Sequence, residues 1–282
     1  MVKKVSWGLG GPWYGEFLKM DEDKFRARVK FLNHYNLKEV SASLDEVVQL
    51  SDENRAWLED YLQKNDMKLS PRIGFAYLNA TPDEVKRKTE EIAEGLRNNR
   101  VILTGNIVTT GAHIGHRFDR TMPWEEKLER LSNVLTPLAS ICHELGTPLG
   151  IENHGDYYCS DLVELCQTTE HLYIFLDTGN PYLIGEKPLP AFEAAAPYTI
   201  GTHFKDHKVC PRPEARPLHF EVAGSVLGEG DVPLKECYSL LLKHAPFPDK
   251  LVMEMEVICP DDMRPVAAFE KSLEFVTSLG GE

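Results

Sequence analysis

Residues 148–154 read PLGIENH, an apolar segment that ends in three polar side chains. The apolar part is typical of a buried strand, and Glu152, Asn153 and His154 follow it at once. Polar groups at the end of a buried strand cost free energy unless they are paired or carry out chemistry. The stretch therefore predicts a strand whose carboxyl end carries functional groups, provided that neighbouring strands end in the same way.

Short apolar segments alternate with longer amphipathic segments along the whole chain. Eight segments are predicted as strands: KVSWGL (4–9), LKEVSAS (37–43), MKLSPRIGF (67–75), RVILTG (100–105), PLGIEN (148–153), LYIFLD (172–177), YTIGTHF (198–204) and KLVMEMEV (250–257). Eight strand–helix units in 282 residues predict an α/β fold, a single (β/α)8 barrel over residues 1–282. A doubly wound open sheet is the alternative.

The composition restricts the partners that we expect. The formal net charge of -13 disfavours nucleic acid, although a site made of carboxylates around a cation would also add negative charge. The sequence has no apolar run of about 18 residues, so we expect no membrane partner. The first residues do not resemble a secretory leader, and we expect a cytoplasmic protein with reduced cysteines.

The segment 208–230 is too long for a plain connector and is rich in proline and glycine. We expect it to form a functional loop or lid before the seventh helix.

Four neighbouring predicted strands end in residues that bind metals. Glu152, Asp177, His203 and Glu254 each lie near the end of an apolar segment, and the carboxyl ends of barrel strands converge. Three carboxylates and an imidazole repel one another and lose hydration unless a cation joins them. The oxygen-rich set suits Mn²⁺, Mg²⁺ or Co²⁺ better than a structural zinc ion. Glu256 competes with Glu254, and we expect Glu254 because residues 251–253 lead directly into it.

These strand ends resemble the xylose isomerase-like TIM-barrel superfamily of sugar isomerases, epimerases and dehydratases, which is related to endonuclease IV. The resemblance rests on residues 150–154, on LDTGN (176–180), on THFKD (202–206), on LGEGDV (227–232) and on VMEMEV (252–257). It implies that Glu152, Asp177, His203 and Glu254 bind one divalent metal ion, with Mn²⁺ preferred and Mg²⁺, Co²⁺ or Zn²⁺ as alternatives. It also implies that Glu152 and Glu254 form the acid/base pair, which moves protons beside a metal-bound carbonyl.

Further residues are candidates for contacts with a small carbohydrate or sugar-acid substrate: Trp7, Trp13, Arg72, His113, His116, His154, Asn180 and Lys205. Core packing is the alternative for the tryptophans, and a surface salt bridge for Arg72. Asn180 stands where many related isomerases and epimerases carry histidine, and His154 is not typical of the epimerases. These departures keep several reactions open.

The expected function is a metal-dependent sugar isomerase or epimerase. The alternative is a lyase of the same superfamily: a dehydratase, an oxo-sugar-acid decarboxylase, or an enzyme that eliminates the aglycone of a 3-keto-glycoside. A non-catalytic barrel subunit is a third hypothesis, and a homo-oligomer or a partner subunit remains open.

Overall fold

The computed structural model describes residues 5–10, 24–74, 79–212 and 219–280. Eight parallel strands form a closed barrel, in which each strand pairs with its neighbours along the chain and the last strand pairs with the first. The barrel strands are β1 (Ser6–Leu9), β2 (Glu39–Ser43), β3 (Lys68–Ile73), β4 (Val108–Thr110), β5 (Leu149–Glu152), β6 (Leu172–Asp177), β7 (Thr199–Phe204) and β10 (Val252–Met255). The structure thus confirms the predicted (β/α)8 barrel.

Helices surround the barrel and follow its strands. They are α1 (Lys24–His34), α2 (Leu44–Val48), α3 (Asp52–Lys64), α4 (Pro82–Asn98), α5 (Trp124–Glu144), α6 (Cys159–Thr168), α7 (Asn180–Leu183), α8 (Pro188–Ala195), α9 (Leu234–His244) and α10 (Pro265–Leu279). Helix α4 begins at the capping box that the sequence predicts, in which Thr81 and Glu84 satisfy each other's backbone N–H groups. No described helix has the length and hydropathy needed to cross a bilayer.

The fourth strand lies later in the chain than predicted. Residues 100–105, predicted as a strand, form a turn after α4, and β4 is the three-residue segment Val108–Thr110. Ile102 of this segment is buried in the core, so the segment is apolar because it packs there and not because it forms a strand. The strand itself contains two threonines, which weakened its apolar signal.

The segment before α9 contains regular structure. Strand β8 (His207–Pro211) and strand β9 (Phe220–Gly224) form an antiparallel hairpin directly after β7. The lid role expected for residues 208–230 stays a prediction, but the described part of this segment contains most of a two-stranded β-ribbon, which turns follow at residues 225–230.

The barrel interior is divided between apolar and polar side chains. Ile107, Phe175, Ile200 and Val252 form an apolar cluster of their own, separate from the main core that lies between strands and helices. Glu39, Ser41 and Ser70 are buried on β2 and β3, and Gly8 of β1 is the register partner of Glu39. The barrel therefore encloses a polar region beneath its carboxyl end.

Candidate metal centre and active site

Four side chains of the types that can ligate a metal ion meet at the carboxyl end of the barrel. One ligand atom each of Glu152, Asp177, His203 and Glu256 lies within 4.8 Å of the others. Nδ1 of His203 is 2.6 Å from Oε1 of Glu152 and 3.5 Å from Oε2 of Glu256. We call these four residues the mouth cluster. Three of them are members of the ligand set that the sequence predicts.

Glu254, the fourth predicted ligand, lies deeper in the barrel. Its Oε1 accepts a hydrogen bond from Ser41, and its Oε2 lies 3.2 Å from Nε2 of His203. The Glu254 side chain is only 3% exposed. Glu254 thus contacts the far side of the imidazole, while Glu256 faces the other ligands, and the geometry favours Glu256 over our predicted Glu254 as the fourth ligand.

The tilt of the strands explains this difference. Backbone pairing aligns the level of Glu152 with Val252 of β10, through β6 and β7. A circle drawn around the barrel perpendicular to its axis does not follow this pairing, because the strands are tilted. In a (β/α)8 barrel the circle moves about one residue further along each successive strand, so it moves about three residues from β5 to β10. The circle through Glu152 therefore crosses β10 near Met255. Glu254 lies one step below this level and Glu256 one step above it.

Lys205 contributes positive charge to the mouth cluster. Its ammonium lies 2.6 Å from Oδ2 of Asp177 and 2.7 Å from Oε2 of Glu256. These two carboxylates raise the pKa of Lys205 even though burial acts in the opposite direction. Lys205, which the sequence predicts as a substrate contact, therefore lies at the mouth cluster.

Protonation in the cluster is uneven. Burial alone would raise the pKa of Glu152, but the charge and hydrogen bond of His203 lower it to about 2. Burial alone would lower the pKa of His203, yet its carboxylate neighbours raise it well above the usual value. Burial raises the pKa of Asp177 to about 7, against the effect of Lys205. Asp177 is fully buried, so its ionised form costs the most free energy in the cluster. A stronger cation beside it would lower this cost.

Asp177 is held in place by the ends of two strands. Its Oδ1 accepts hydrogen bonds from the backbone N–H groups of Gly179 and Asn180, at 2.9 and 3.0 Å. The side chain of Asn153 pairs with the backbone N–H and C=O of Asp177. The remaining carboxylate oxygen is therefore aimed at the mouth cluster.

The chemistry of the mouth cluster fits a divalent cation. Three carboxylates and one imidazole offer oxygen-rich ligation, with all ligand atoms close enough to share one ion. His203 and Lys205 carry the positive charges among these residues and only partly balance Glu152, Asp177 and Glu256. Such a set suits Mn²⁺, Mg²⁺ or Co²⁺, and the identity of the ion stays a prediction.

Two predicted histidine contacts lie beside Glu152. Nε2 of His154 is 3.4 Å from Oε1 of Glu152, and the rings of His113 and His154 meet edge to face at 4.1 Å. A hydrogen bond with Asp156 raises the pKa of His113, whereas burial lowers that of His154. His113 and His154 are therefore brought together at the mouth, whereas His116 is exposed and lies outside this group.

The other predicted contacts have different positions. Trp7 packs on Phe204 and Tyr238 in the layer between barrel and helices, which favours the packing alternative. Strand alternation explains this, because its neighbour Gly8 aligns with the inward-facing Glu254. Trp13 lies outside the described residues.

Arg72 and Asn180 remain close to the site. Arg72 is half-buried on β3, and its charge lowers the pKa of Glu254. Asn180 is buried, and its Nδ2 donates to the backbone carbonyl of Asn153 at 2.7 Å. Asn180 therefore positions the strand ends, and direct contact with substrate stays a prediction for both residues.

Sequence reasoning missed supporting residues around His203. Ser41 of β2 donates to Glu254 of β10 past the intervening strand β1, 213 positions away in the chain, and no local signal indicates such a contact. A Cβ atom at Gly10 would lie 2.9 Å from the imidazole of His203. Gly10 is thus required by close approach, a role that only the folded barrel makes visible.

A profile of the xylose isomerase-like TIM barrel matches residues 31–279, nearly the whole chain. The chain belongs to this family. No curated protein sequence matches the chain.

Solved structures share the fold at low sequence identity. D-psicose 3-epimerase from Clostridium cellulolyticum H10, solved with D-tagatose, is 14% identical over 98% of both chains, with a TM-score of 0.71. The 3-keto-D-glucoside 4-epimerase from E. coli is 11% identical over 98% of this chain and 100% of its own, with a TM-score of 0.66. A probable 3-DHS dehydratase from Bacillus anthracis is 14% identical over 97% and 99%, with a TM-score of 0.66. Epimerases and a probable dehydratase thus share the fold of this chain.

Proposed function

We propose that this protein is a divalent-metal-dependent enzyme that isomerises or epimerises a small keto-sugar or sugar acid. The observation that carries the proposal is the mouth cluster, in which two glutamates approach one cation site from different strands. Glu152 extends from β5 and Glu256 follows β10. Two carboxylates at one site are what proton removal and return beside a carbonyl require.

Glu152, Asp177, His203 and Glu256 would hold the cation. The ion supplies Lewis acidity to the carbonyl and hydroxyl oxygens of the substrate, which lowers the barrier to proton removal from the adjacent carbon. In this proposal Glu256 takes the ligand and acid/base role for which the sequence analysis favoured Glu254. Glu254 instead fixes the orientation of His203 from below.

The protein groups suit a proton transfer at this point. The charge of His203 keeps Glu152 ionised in the metal-free chain, and a bound cation would do the same once His203 has lost its proton to ligate it, so Glu152 stays in the state that a proton acceptor needs. Lys205 bridges Asp177 and Glu256, so it can place an N–H donor beside a substrate oxygen. All of these residues are more than half buried, and a site of low polarity strengthens each of these interactions.

One observation favours the lyase alternative. His113 and His154 lie beside Glu152, which offers a second proton donor next to the first acid/base group. An elimination needs both a base at the carbon and an acid at the leaving oxygen. The probable 3-DHS dehydratase among the solved structures has the same fold, so this chemistry is a second candidate.

Exchange in D₂O separates the two reactions. The metal-loaded protein is incubated in D₂O with D-fructose, D-tagatose and a 3-keto-D-glucoside, and the products are followed by NMR and mass spectrometry. We expect a recovered isomer that carries deuterium on the carbon beside the carbonyl.

Asp177→Asn serves as the control, since it removes a proposed ligand and should abolish exchange. Release of water or aglycone without a deuterated isomer would replace the isomerase proposal with the lyase. An isomer that forms at the wild-type rate in Asp177→Asn would contradict the role of the mouth cluster.

A further inference from the structure

A second group of potential ligands lies next to the mouth cluster. One ligand atom each of His113, His154 and Asp156 lies within 4.8 Å of the others. His113 follows β4, and the other two residues follow β5. Nε2 of His154 also lies 3.4 Å from Oε1 of Glu152, so the two groups are neighbours.

The imidazole of His154 has an unused nitrogen. Its Nε2 faces the carboxylate of Glu152, which favours a proton on that nitrogen. Its Nδ1 is buried and makes no hydrogen bond within the described part of the chain. With the proton on Nε2, Nδ1 carries a lone pair, and a buried lone pair without a donor is costly unless a ligand or ion meets it.

Asp156 is fixed for ligation by the backbone. Its Oδ1 accepts from the N–H of His154 and its Oδ2 from the N–H of Ile114, both at 3.2 Å. The residue is 2% exposed. These bonds orient the carboxylate in the way that outer hydrogen bonds orient metal ligands.

His113 closes the group on the solvent side. Its Nδ1 lies 3.6 Å from Oδ2 of Asp156, and its ring meets that of His154 edge to face. Gly111 keeps this arrangement free of a side chain, because a Cβ atom there would lie 3.0 Å from Nε2 of His113. The exposed His113 leaves a route from solvent to the group.

We propose that His113, His154 and Asp156 bind a second divalent cation, with Glu152 between it and the mouth cluster. Two imidazoles and one carboxylate match the ligand set of open zinc sites, in which a fourth position takes water or substrate. The oxygen-rich mouth cluster prefers harder ions, so the two sites should select different metals. The second site does not depend on which reaction the enzyme performs.

Metal stoichiometry tests the proposal directly. The protein is stripped with a chelator, reloaded with an excess of Mn²⁺ and Zn²⁺ together, desalted, and analysed by inductively coupled plasma mass spectrometry. We expect about two ions per chain, with zinc accounting for about one of them. His154→Ala and His113→Ala should each lose zinc and keep the second ion.

His116→Ala is the matched control, because it removes an exposed imidazole from the same loop without touching the group. It should retain both ions, and circular dichroism should show that all variants keep the fold. Asp177→Asn should lose the ion of the mouth cluster and keep zinc, which separates a failure of this proposal from a failure of the proposed function.

Anomalous diffraction at the zinc edge gives a second measurement. We expect a peak between His113, His154 and Asp156. A wild-type chain that binds one ion at saturating zinc would overturn the proposal. The same conclusion would follow if His154→Ala retained both ions.

Discussion

Lys205 lies where it can affect both metal binding and the proposed reaction. Its ammonium contacts two of the carboxylates that would hold a metal ion, so the lysine and the ion attract the same partners. The ion carries the larger charge, and its arrival should release Lys205 toward Asn180 Oδ1, which lies 3.5 Å from the ammonium, or toward substrate. The same side chain can thus serve the cluster and then the reaction.

Lys205→Met should therefore bind metal more tightly and react more slowly. Two like charges about 6 Å apart repel by more than 1.4 kcal/mol at an effective dielectric constant of about 20, so removing the ammonium should tighten metal binding about tenfold or more. The dissociation constant for Mn²⁺, measured by isothermal titration calorimetry, checks this. Lys208→Met removes an exposed positive charge three residues later and should change the constant little. Weaker metal binding in Lys205→Met would contradict the competition.

The two glutamates of the last strand should have separable functions. Glu256→Gln removes a ligand and should weaken Mn²⁺ binding by about 100-fold, a typical loss of about 3 kcal/mol for a charged partner in a buried site. Glu254→Gln keeps one oxygen, which can still accept from His203, and its NH₂ can donate to the Ser41 hydroxyl, so it should weaken binding much less. Calorimetry on both variants decides the assignment. The reverse order would restore Glu254 as the ligand that the sequence favoured.

Glu39 is a buried carboxyl group deep in the barrel that should make stability depend on pH. Burial raises its pKa to about 7, against the hydrogen bond of Ser6 and the charge of Lys68. Because the folded pKa exceeds the unfolded value of about 4.5, the folded chain binds more protons between these values, and stability falls as pH rises from 4.5 through 7. A difference of this size corresponds to about 3 kcal/mol.

Glu39→Gln should lack this fall and should exceed the wild type in stability at pH 8. Urea unfolding at pH 5, 6, 7 and 8 measures it. Glu59→Gln, a change at an exposed glutamate of α3, should follow the wild-type curve. Parallel curves for Glu39→Gln and the wild type would show that Glu39 does not titrate in this range.

At the scale of elements, Asp206 anchors the segment between β7 and α9 through hydrogen bonds to its backbone. Its carboxylate accepts from the backbone N–H groups of His207, Gly228, Gly230 and Val232, at 2.8 to 3.2 Å. One buried side chain thus holds the start of the hairpin and the turn that leads into α9. The hairpin can move only as far as this anchor allows.

Asp206→Asn should lower the free energy of unfolding by about 3 kcal/mol, because the amide cannot accept from all four donors and its NH₂ opposes some of them. Thermal or urea unfolding followed by circular dichroism measures the loss. Asp262→Asn, at an exposed residue before α10, is the control and should change stability little. A loss as small as that of the control would show that the turn does not depend on Asp206.

The positions of these elements show what sequence patterns can predict. Alternating apolar and amphipathic segments were sufficient to predict the barrel, and the strand ends were sufficient to predict that Glu152, Asp177 and His203 lie close together, while their role as ligands stays a prediction. The choice between Glu254 and Glu256 depended on strand tilt, which adds about three residues across the site and leaves no mark in a single segment. The roles of Ser41 and Gly10 depend on contacts between strands that are distant in the sequence. Strand β4 was missed because the preceding turn is more apolar than the strand.

At the scale of the whole molecule, the mouth cluster concentrates negative charge in a chain that is already acidic. The formal net charge is -13, and the three carboxylates and one imidazole of the mouth cluster come from β5, β6, β7 and the end of β10. Any ion that binds there would join four neighbouring strands of the barrel. Metal binding should therefore stabilise the entire fold and not only the site.

Adding Mn²⁺ to chelator-treated protein should raise the melting temperature. An ion at about 100 times its dissociation constant stabilises the folded state by about 2.7 kcal/mol, which corresponds to about 5 °C or more for a chain of this size. Differential scanning fluorimetry with Mn²⁺, Mg²⁺, Co²⁺ and Zn²⁺ gives the order of preference. Asp177→Asn should lose most of the Mn²⁺ shift, because it removes a proposed ligand that the ends of two strands hold in place. A wild-type chain that none of the four ions stabilises would contradict the metal site and would favour the hypothesis of a non-catalytic barrel.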